Sequence, residues 1–466
     1  MNAHDSIRMT APPSVYQARR ARLGERLQRP LVVFAGHAPA RNYTANAFPF
    51  RPGSTYTYLG GTAIEGAAWL IEPGSDGRQG CSLVRPVLDP DDVVWMGPGP
   101  LDAALAAAAG VEEARLADPE DLATLLGGRP AAAIAPPCVR TNATIAALGL
   151  EPARPDELRP VVELRLIKDE HELAAMRRAA EVNIEAHTRA MAACAAGRRE
   201  ADVAGAFFEV LVANRCRPSF NPIISIHGEI LHSTGYPYTL EAGRLLLLDA
   251  GAEEPGCYAC DITRTFPVDG GWTPIQRQLY DTVLRAQREA IAACVPGARF
   301  RDIHDLAARV ICAGLVEAEL LRGDPAELAA RYAHTVFFCH GLGHLIGLDV
   351  HDMEDFGDLA GYAPGRTRRP EFGNNFLRLD RDLEPGMTLT IEPGIYLVPA
   401  IWQRQDLVGR LADVVNRPAI DRLLAAGFGG IRIEETIAVR ASGGPEVLSA
   451  DLPNDAEAVA AMVGST

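Results

Sequence analysis

Histidines and carboxylates that could bind metal or move protons are concentrated in a few segments of this sequence. The segment HGLGHLIGLDVHD, residues 340–352, holds three of the 11 histidines in a chain of 466 residues. Four carboxylates elsewhere each stand beside an apolar run: Asp249, Asp261, Glu392 and Glu434. Imidazole nitrogens and carboxylate oxygens are ligands of divalent cations and common general acids and bases. The chemistry they can perform depends on whether the fold brings them together.

Asp249 and Asp261 belong to a predicted β-hairpin. The run RLLLLD predicts a strand that ends in Asp249, the EEPG turn follows, and YACDITRTF alternates as a second strand. A turn centred near Glu254 would place the two aspartates roughly opposite each other, where like charges destabilise a sheet. A divalent cation or one shared proton would offset this repulsion. A register shifted by one residue would instead turn both acids towards solvent.

Glu392 and Glu434 lie in two later segments of alternating hydrophobicity, TLTIEPGIYLV and GGIRIEETIAV. In the second segment Arg432 shares the face of Glu434, so Glu435 falls on the apolar face and a bulge is predicted there. A single glutamate on a strand is usually a surface residue. Four such acids together with the histidine cluster favour a buried site over surface charge.

The elements that must position these residues fall into two predicted domains. Residues 151–160 contain three prolines and are interpreted as a linker, and the stretch that follows has helical periodicity behind acidic residues. We therefore predict an N-terminal domain over 1–160 and a C-terminal domain over 161–466.

The second domain is predicted to be α+β. Long helices are expected over about 275–295 and 301–321, and inserted surface loops over 354–385 and 400–428, the latter partly helical in one interpretation. The strands expected to carry the acids cover residues 244–249, 257–266, 387–392 and 430–440.

Composition narrows the class of protein. The apolar fraction of 48% and the charged fraction of 23% are typical of soluble enzymes, and a net charge of −15 argues against nucleic-acid binding as the main function. Nine scattered cysteines indicate free thiols in a reducing compartment, and no apolar run is long enough to cross a membrane. The expected location is the cytoplasm, with no membrane partner and no nucleic-acid partner.

The order of the five candidate residues, each inside a longer motif, resembles a known family. DAGAE, DITRTF, HGLGHLIGLDVHD, LEPGMTLTIEPGIY and GIRIEE are similar to the pita-bread metallopeptidases, and within them to the Xaa-Pro-specific branch of prolidase and aminopeptidase P. This resemblance covers roughly 165–445. The stretches YQARRARLGERL, FPFRPGSTYTYLGG and VVWMGPGP resemble the N-terminal domain of the same enzymes. The implied fold is an α/β N-terminal domain of the creatinase/prolidase type followed by an α+β pita-bread catalytic domain.

The resemblance implies a pair of divalent metal ions. Asp249 is expected to bind one ion, His344 and Glu392 the other, and Asp261 and Glu434 to bridge them. Four carboxylates and one imidazole form an oxygen-rich set that favours Mn²⁺, with Co²⁺ or Zn²⁺ as substitutes.

The same resemblance implies catalytic residues around the metals. His232 and His351 are expected to hydrogen-bond the substrate outside the metal shell, and Glu392 to shuttle a proton. Arg432 is expected to fix the Glu434 carboxylate or to reach the substrate. His340 is interpreted either as a support for a metal ligand or as a core histidine.

The function implied is hydrolysis of Xaa-Pro bonds in small peptides by a metal-bridging hydroxide. We expect an Xaa-Pro dipeptidase (prolidase), closely followed by an Xaa-Pro aminopeptidase, that forms a homodimer or a larger homo-oligomer. One departure from the family pattern bears on the substrate: His227 and Glu229 stand before His232 where a glycine and an asparagine are expected. The alternatives are a non-catalytic interaction module of the same fold and a related hydrolase with organophosphate side activity.

Overall fold

The computed structural model describes residues 9–87, 90–112 and 116–465, which divide into two compact units, Met1–Leu166 and Ile167–Thr466. The first unit contains a six-stranded mixed sheet. Its strands are β1 (Leu31–Phe34), β2 (Ala68–Ile71), β3 (Cys81–Val84), β4 (Leu116–Ala117), β5 (Ala132–Ile134) and β6 (Glu151–Pro152), in the order β4-β3-β2-β1-β5-β6. Its helices are α1 (Pro13–Gly24), α2 (Ser54–Tyr58), α3 (Pro90–Met96), α4 (Asp102–Ala109), α5 (Asp121–Leu126), α6 (Val139–Ala147) and α7 (Pro155–Leu166).

The interpretation of residues 151–160 as a linker is wrong. Glu151 and Pro152 form β6, and helix α7 begins at Pro155. A proline is tolerated at the start of a helix because the first N–H groups have no partner within it. Pro160 lies inside α7, where the buried side chains of Val161, Val162 and Leu164 pack. This burial holds the helix despite the missing hydrogen bond.

The second unit is α+β. Its strands are β7 (Arg217–Pro218), β8 (Ile223–Ser225), β9 (Leu245–Ala250), β10 (Ala252–Glu253), β11 (Ile262–Pro267), β12 (Thr388–Ile391), β13 (Gly394–Tyr396), β14 (Gly430–Arg432), β15 (Glu435–Ala438) and β16 (Glu446–Val447). Its helices are α8 (Glu170–Ala192), α9 (Glu200–Ala213), α10 (Pro274–Ala293), α11 (Phe300–Glu317), α12 (Pro325–Ala330), α13 (Asp358–Gly361), α14 (Pro399–Gln403), α15 (Gln405–Val408), α16 (Arg417–Ala425) and α17 (Ala456–Met462). The pairs β8/β9, β9/β11, β12/β15 and β13/β14 are all antiparallel.

The predicted long helices are present, with ends that differ by one to four residues. The segment 400–428 is not an open loop but contains most of α14, and all of α15 and α16. The segment 354–385 contains α13 and two single turns of 3₁₀ helix. Along the part of the chain that the structure describes, no helix is long and apolar enough to span a bilayer.

Side chains of helix α8 contact the backbone of β9 and β11 next to the candidate aspartates. The N-terminus of α8 is capped by Asp169, whose carboxylate accepts hydrogen bonds from the backbone N–H groups of His171 and Glu172. The Asn183 amide donates to the Ala250 carbonyl over 3.1 Å, and His187 Nε2 lies 3.1 Å from the Ile262 carbonyl oxygen. The residues next to both aspartates, Ala250 and Ile262, therefore contact side chains on the buried face of α8.

Candidate metal centre

Asp249 and Asp261 lie on one face of the β9–β11 hairpin, but their register differs from the prediction. Asp249 pairs with Thr263, and Asp261 comes just before β11 begins. The connection between the two strands is longer than predicted. A tight turn closes between Glu254 and Tyr258, and residues 257–261 do not continue the strand, so β11 begins only at Ile262. Asp261 precedes Thr263, the partner of Asp249, by two residues, so the acids are diagonal neighbours and not an opposed pair.

His344 joins three of the carboxylates. Its Nε2 atom lies 3.6 Å from Asp261 Oδ2, 3.8 Å from Glu392 Oε1 and 4.0 Å from Glu434 Oε1. Ligands on opposite sides of one ion are about 4.2 Å apart when each metal–ligand distance is about 2.1 Å. These three separations are therefore short enough for one ion to be shared. Asp261, His344 and Glu434 each offer a ligand atom within 4.8 Å of the others.

The backbone around His344 sets its orientation. The His344 Nδ1 atom donates to the Leu345 carbonyl over 3.0 Å, and its backbone N–H donates to Thr390 Oγ1. A proton on Nδ1 leaves the lone pair on Nε2, the nitrogen that faces the acids.

The charges of this cluster need compensation. Burial raises the pKa of Asp249 to about 6 and that of Glu392 to about 7, and burial together with the neighbouring acids raises the pKa of Glu434 well above its usual range. Asp261 Oδ1 and Glu434 Oε1 are buried and have no hydrogen-bond partner among the described residues. Oxygen acceptors that lack donors, held close to like charges, match a divalent cation of the oxygen-preferring class.

Arg432 contacts the cluster differently from the expectation. Its Nη2 atom donates to Asp249, its Nη1 atom donates to the Tyr396 hydroxyl over 2.8 Å, and its Nε atom donates to Thr263 Oγ1 over 3.1 Å. The Thr263 hydroxyl in turn donates to Glu434 Oε2 over 2.7 Å. Arg432 therefore reaches Glu434 only through Thr263.

The other predicted histidines line one cavity of about 850 Å³ with the four candidate carboxylates and His344. The His351 ring packs edge-to-face on His344 with centroids 4.4 Å apart, and burial lowers the pKa of His351 to about 2. Burial also lowers the pKa of His232. His340 Nε2 lies 2.9 Å from the Tyr396 hydroxyl, and burial lowers the pKa of His340 to about 3. All three are therefore neutral near pH 7.

Sequence reasoning missed several residues that shape the site. Tyr396 links His340 to Arg432, and Thr436 accepts a hydrogen bond from the Asp261 backbone N–H over 3.1 Å. Arg378 lines the cavity and pairs with Glu354. Strand alternation would put Thr436 on the face of Glu434 and is a signal that could have found it, but no spacing marked Arg378, which lies in the segment interpreted as a surface loop.

Comparisons with known proteins match both parts of the chain to metallopeptidases and related domains. Residues 174–441 match the family described as Metallopeptidase family M24, and residues 16–130 match the Aminopeptidase P, N-terminal domain. The chain is 32% identical to the Xaa-Pro aminopeptidase of Escherichia coli K12, over 97% of this chain and 98% of that protein. It is 35% identical to the human Xaa-Pro dipeptidase, over 61% of this chain and 57% of that protein.

A solved structure of E. coli aminopeptidase P, in which one histidine is replaced by alanine, is similar over nearly the whole length. The TM-score is 0.79 at 30% identity, and the match covers 97% of this chain and 98% of that chain.

Proposed function

The chain belongs to metallopeptidase family M24, and from that premise we propose that it hydrolyses Xaa-Pro bonds with two divalent cations bound by Asp249, Asp261, His344, Glu392 and Glu434. It is an enzyme of the Xaa-Pro aminopeptidase and prolidase group with the pita-bread fold. The expectation of a non-catalytic interaction module is therefore set aside.

The observation that carries the proposal is the convergence of these five side chains on one cavity, two of them with a buried oxygen that has no donor within the described part of the chain. Bound divalent cations supply an activated water and polarise the scissile carbonyl. The oxygen-rich set favours Mn²⁺ over Co²⁺ or Zn²⁺.

Glu392 is the proposed proton carrier. Its carboxylate belongs to the proposed metal-binding set, and a carboxylate next to an activated water is placed to accept and return a proton. It lines the cavity beside His344, where a proton is needed by the departing proline nitrogen. An Xaa-Pro bond has no N–H for a protease backbone to bind, and a site that acts on the carbonyl does not need one.

His232, His351 and Arg432 are the proposed substrate contacts. Because burial keeps His232 and His351 neutral, each has one N–H to donate to the carbonyl oxygen as negative charge develops there. Arg432 holds Asp249 and lines the same cavity, so it positions that carboxylate and adds positive charge to the site.

Dipeptides are the proposed substrates of first choice. Arg378 places a guanidinium in the cavity from the segment 354–385, where it can bind the free carboxylate of a substrate that ends in proline. An aminopeptidase needs room beyond proline and no such partner. The preference for dipeptides is a separate proposal from the Xaa-Pro bond specificity and depends on it.

Turnover of Met-Pro and of Met-Pro-Ala tests these proposals together. We expect Met-Pro to be cleaved faster, with Mn²⁺ restoring the activity that a chelator removes. Faster cleavage of Met-Pro-Ala would favour the aminopeptidase assignment, and cleavage of Met-Ala at the rate of Met-Pro would contradict the bond specificity. The cytoplasmic location, the homo-oligomer and the organophosphate side activity stay predictions.

A further inference from the structure

Glu229 is a further carboxylate in the cavity and is not one of the five proposed metal ligands. Its side chain is 15% exposed and lines the same cavity as Asp249 and Arg432. Glu229 Oε1 lies 2.9 Å from His227 Nδ1, whereas Oε2 is buried and has no hydrogen-bond partner among the described residues. A buried acceptor without a donor is unfavourable, and it is more so when it is charged. A donor brought by the substrate would satisfy it.

His227 holds Glu229 in place. The His227 ring stacks on Tyr238 with centroids 4.5 Å apart, and its backbone N–H donates to Ser225 Oγ over 3.0 Å. The imidazole is therefore fixed from two sides, and its Nδ1 donates to one oxygen of Glu229. Only the second oxygen remains for a ligand.

The two guanidinium groups in the cavity do not neutralise Glu229. Arg432 pairs with Asp249, and Arg378 pairs with Glu354. A further cation can therefore bind Glu229 without breaking either pair. Phe220, Phe372 and Phe376 line the same cavity and supply aromatic faces that also attract cations.

Glu229 lines the same cavity as the proposed metal ligands and follows a glycine that packs on β9. The preceding Gly228 contacts β9 at Leu247, where an added Cβ would come within 3.2 Å of the Leu247 Cβ. Leu247 is two residues before Asp249, a separation of about 6.8 Å along a strand. The α-ammonium of a substrate is one carbon away from the scissile carbonyl and must stay beside the metal residues. A lysine or arginine side chain carries its charge several bonds away from that α-ammonium, so it can occupy a different part of the cavity from the α-ammonium.

We propose that Glu229 forms a subsite for a cationic side chain on the residue before proline, so that the enzyme prefers Lys-Pro and Arg-Pro bonds. The inference rests on the proposed Xaa-Pro hydrolysis and names its substrate class. An ammonium or guanidinium group would donate to Oε2 while His227 donates to Oε1.

The test compares Lys-Pro with Met-Pro, each as a dipeptide and with a C-terminal alanine. These substrates differ in charge and little in length. The wild type is compared with Glu229→Gln and Glu229→Asp. Glu241→Gln is the matched control, because it removes a carboxylate that is 65% exposed, pairs with Arg244 at 3.7 Å and does not line the cavity.

We expect Glu229→Gln to lower kcat/KM for the Lys-Pro substrates at least about tenfold and to change the Met-Pro substrates less than about twofold, since one charge-assisted hydrogen bond is lost. Glu229→Asp should retain part of the preference, and Glu241→Gln all of it. Equal loss on both substrates, or no loss on either, would overturn the subsite. Absence of wild-type turnover with every one of these peptides would overturn the proposed function and the subsite together, whereas Met-Pro cleavage with no effect of Glu229 counts against the subsite alone.

Discussion

The floor and the wall of the active-site cavity are built differently. The floor consists of the strands and strand ends that carry Asp249, Asp261 and Glu434, side chains that are at most 8% exposed and are backed by threonines. The wall is formed by irregular chain, with Glu229 after β8 and Arg378 after a 3₁₀ turn, and Arg378 is 37% exposed. A rigid floor preserves the chemistry while the wall can change to suit the substrate. Damage to the floor should abolish turnover, and damage to the wall should change which peptide is cleaved.

The largest effect is expected from Asp261→Asn. Loss of one of the carboxylates proposed to hold the cations should lower kcat by about 10³-fold or more, which corresponds to about 4 kcal/mol, and should lower the bound Mn²⁺ measured after dialysis. The same change removes one of the like charges around Glu434, so the metal-free variant should melt at a higher temperature than the metal-free wild type. A variant that retained wild-type turnover would remove Asp261 from the floor.

The stability of the metal-free protein should depend on pH in an unusual direction. The folded-state pKa values of Asp249 and Glu392, about 6 and about 7, lie above the usual 3.8 and 4.5. The folded state therefore binds more protons than the unfolded state between about pH 4 and 7. These groups should make unfolding easier as pH rises through that window, by up to about 1.4 kcal/mol per pH unit for each proton.

Thermal unfolding with chelator across this window, compared with unfolding in Mn²⁺, measures the effect. Mn²⁺ should flatten the dependence because it stabilises the ionised carboxylates. A metal-free protein whose stability rises steadily from pH 5 to 7 would contradict the charge arrangement of the floor.

Thr263→Val should have a smaller effect that still belongs to the floor. The change removes the donor to Glu434 and the acceptor of Arg432. Losses of this kind typically reduce metal affinity or activity about 10–100-fold. Thr57→Val, at a half-buried threonine of α2 whose hydroxyl donates to the Gly53 carbonyl just before the helix, is the control and should leave metal affinity unchanged.

The smallest effect is expected in the wall. Arg378→Met should raise KM for Met-Pro about tenfold with little change in kcat, because a single carboxylate contact is lost. Cleavage of Met-Pro-Ala should change less. An equal fall in kcat for both peptides would mean that Arg378 serves the chemistry and not substrate selection, which would contradict the distinction between floor and wall.

The floor could be predicted from the sequence because its signals are local and regular. An acid that ends a run such as LLLL, followed by turn residues, marks the end of a buried strand, and β9 ends one residue beyond Asp249. The register could not be predicted, since it depends on a turn whose width the composition does not determine. Glu435 on an apolar face was predicted to cause a bulge. The strand is interrupted at Ile433, and the Glu435 charge is neutralised by buried Arg264 at 2.7 Å.

The wall could not be predicted in the same way. Arg378 and Glu229 have no periodic neighbours, and their contacts with Glu354 and His227 depend on how irregular chain folds back. The helical content of 400–428 was missed in part because glycine, proline and charged residues there resemble loop composition. Tertiary packing of Trp402 and Ile420, both buried, holds these short helices in place.

The central claim is that Asp249, Asp261, His344, Glu392 and Glu434 bind two divalent cations that the reaction needs. Calorimetric titration of chelator-treated protein with Mn²⁺, with Met-Pro turnover followed at each addition, measures it most directly. We predict about two ions bound per chain, in the stoichiometry of the two-metal sites this set of ligands resembles, with activity rising as they bind. Full turnover by metal-free protein, or Mn²⁺ binding that Asp261→Asn leaves unchanged, would contradict the account.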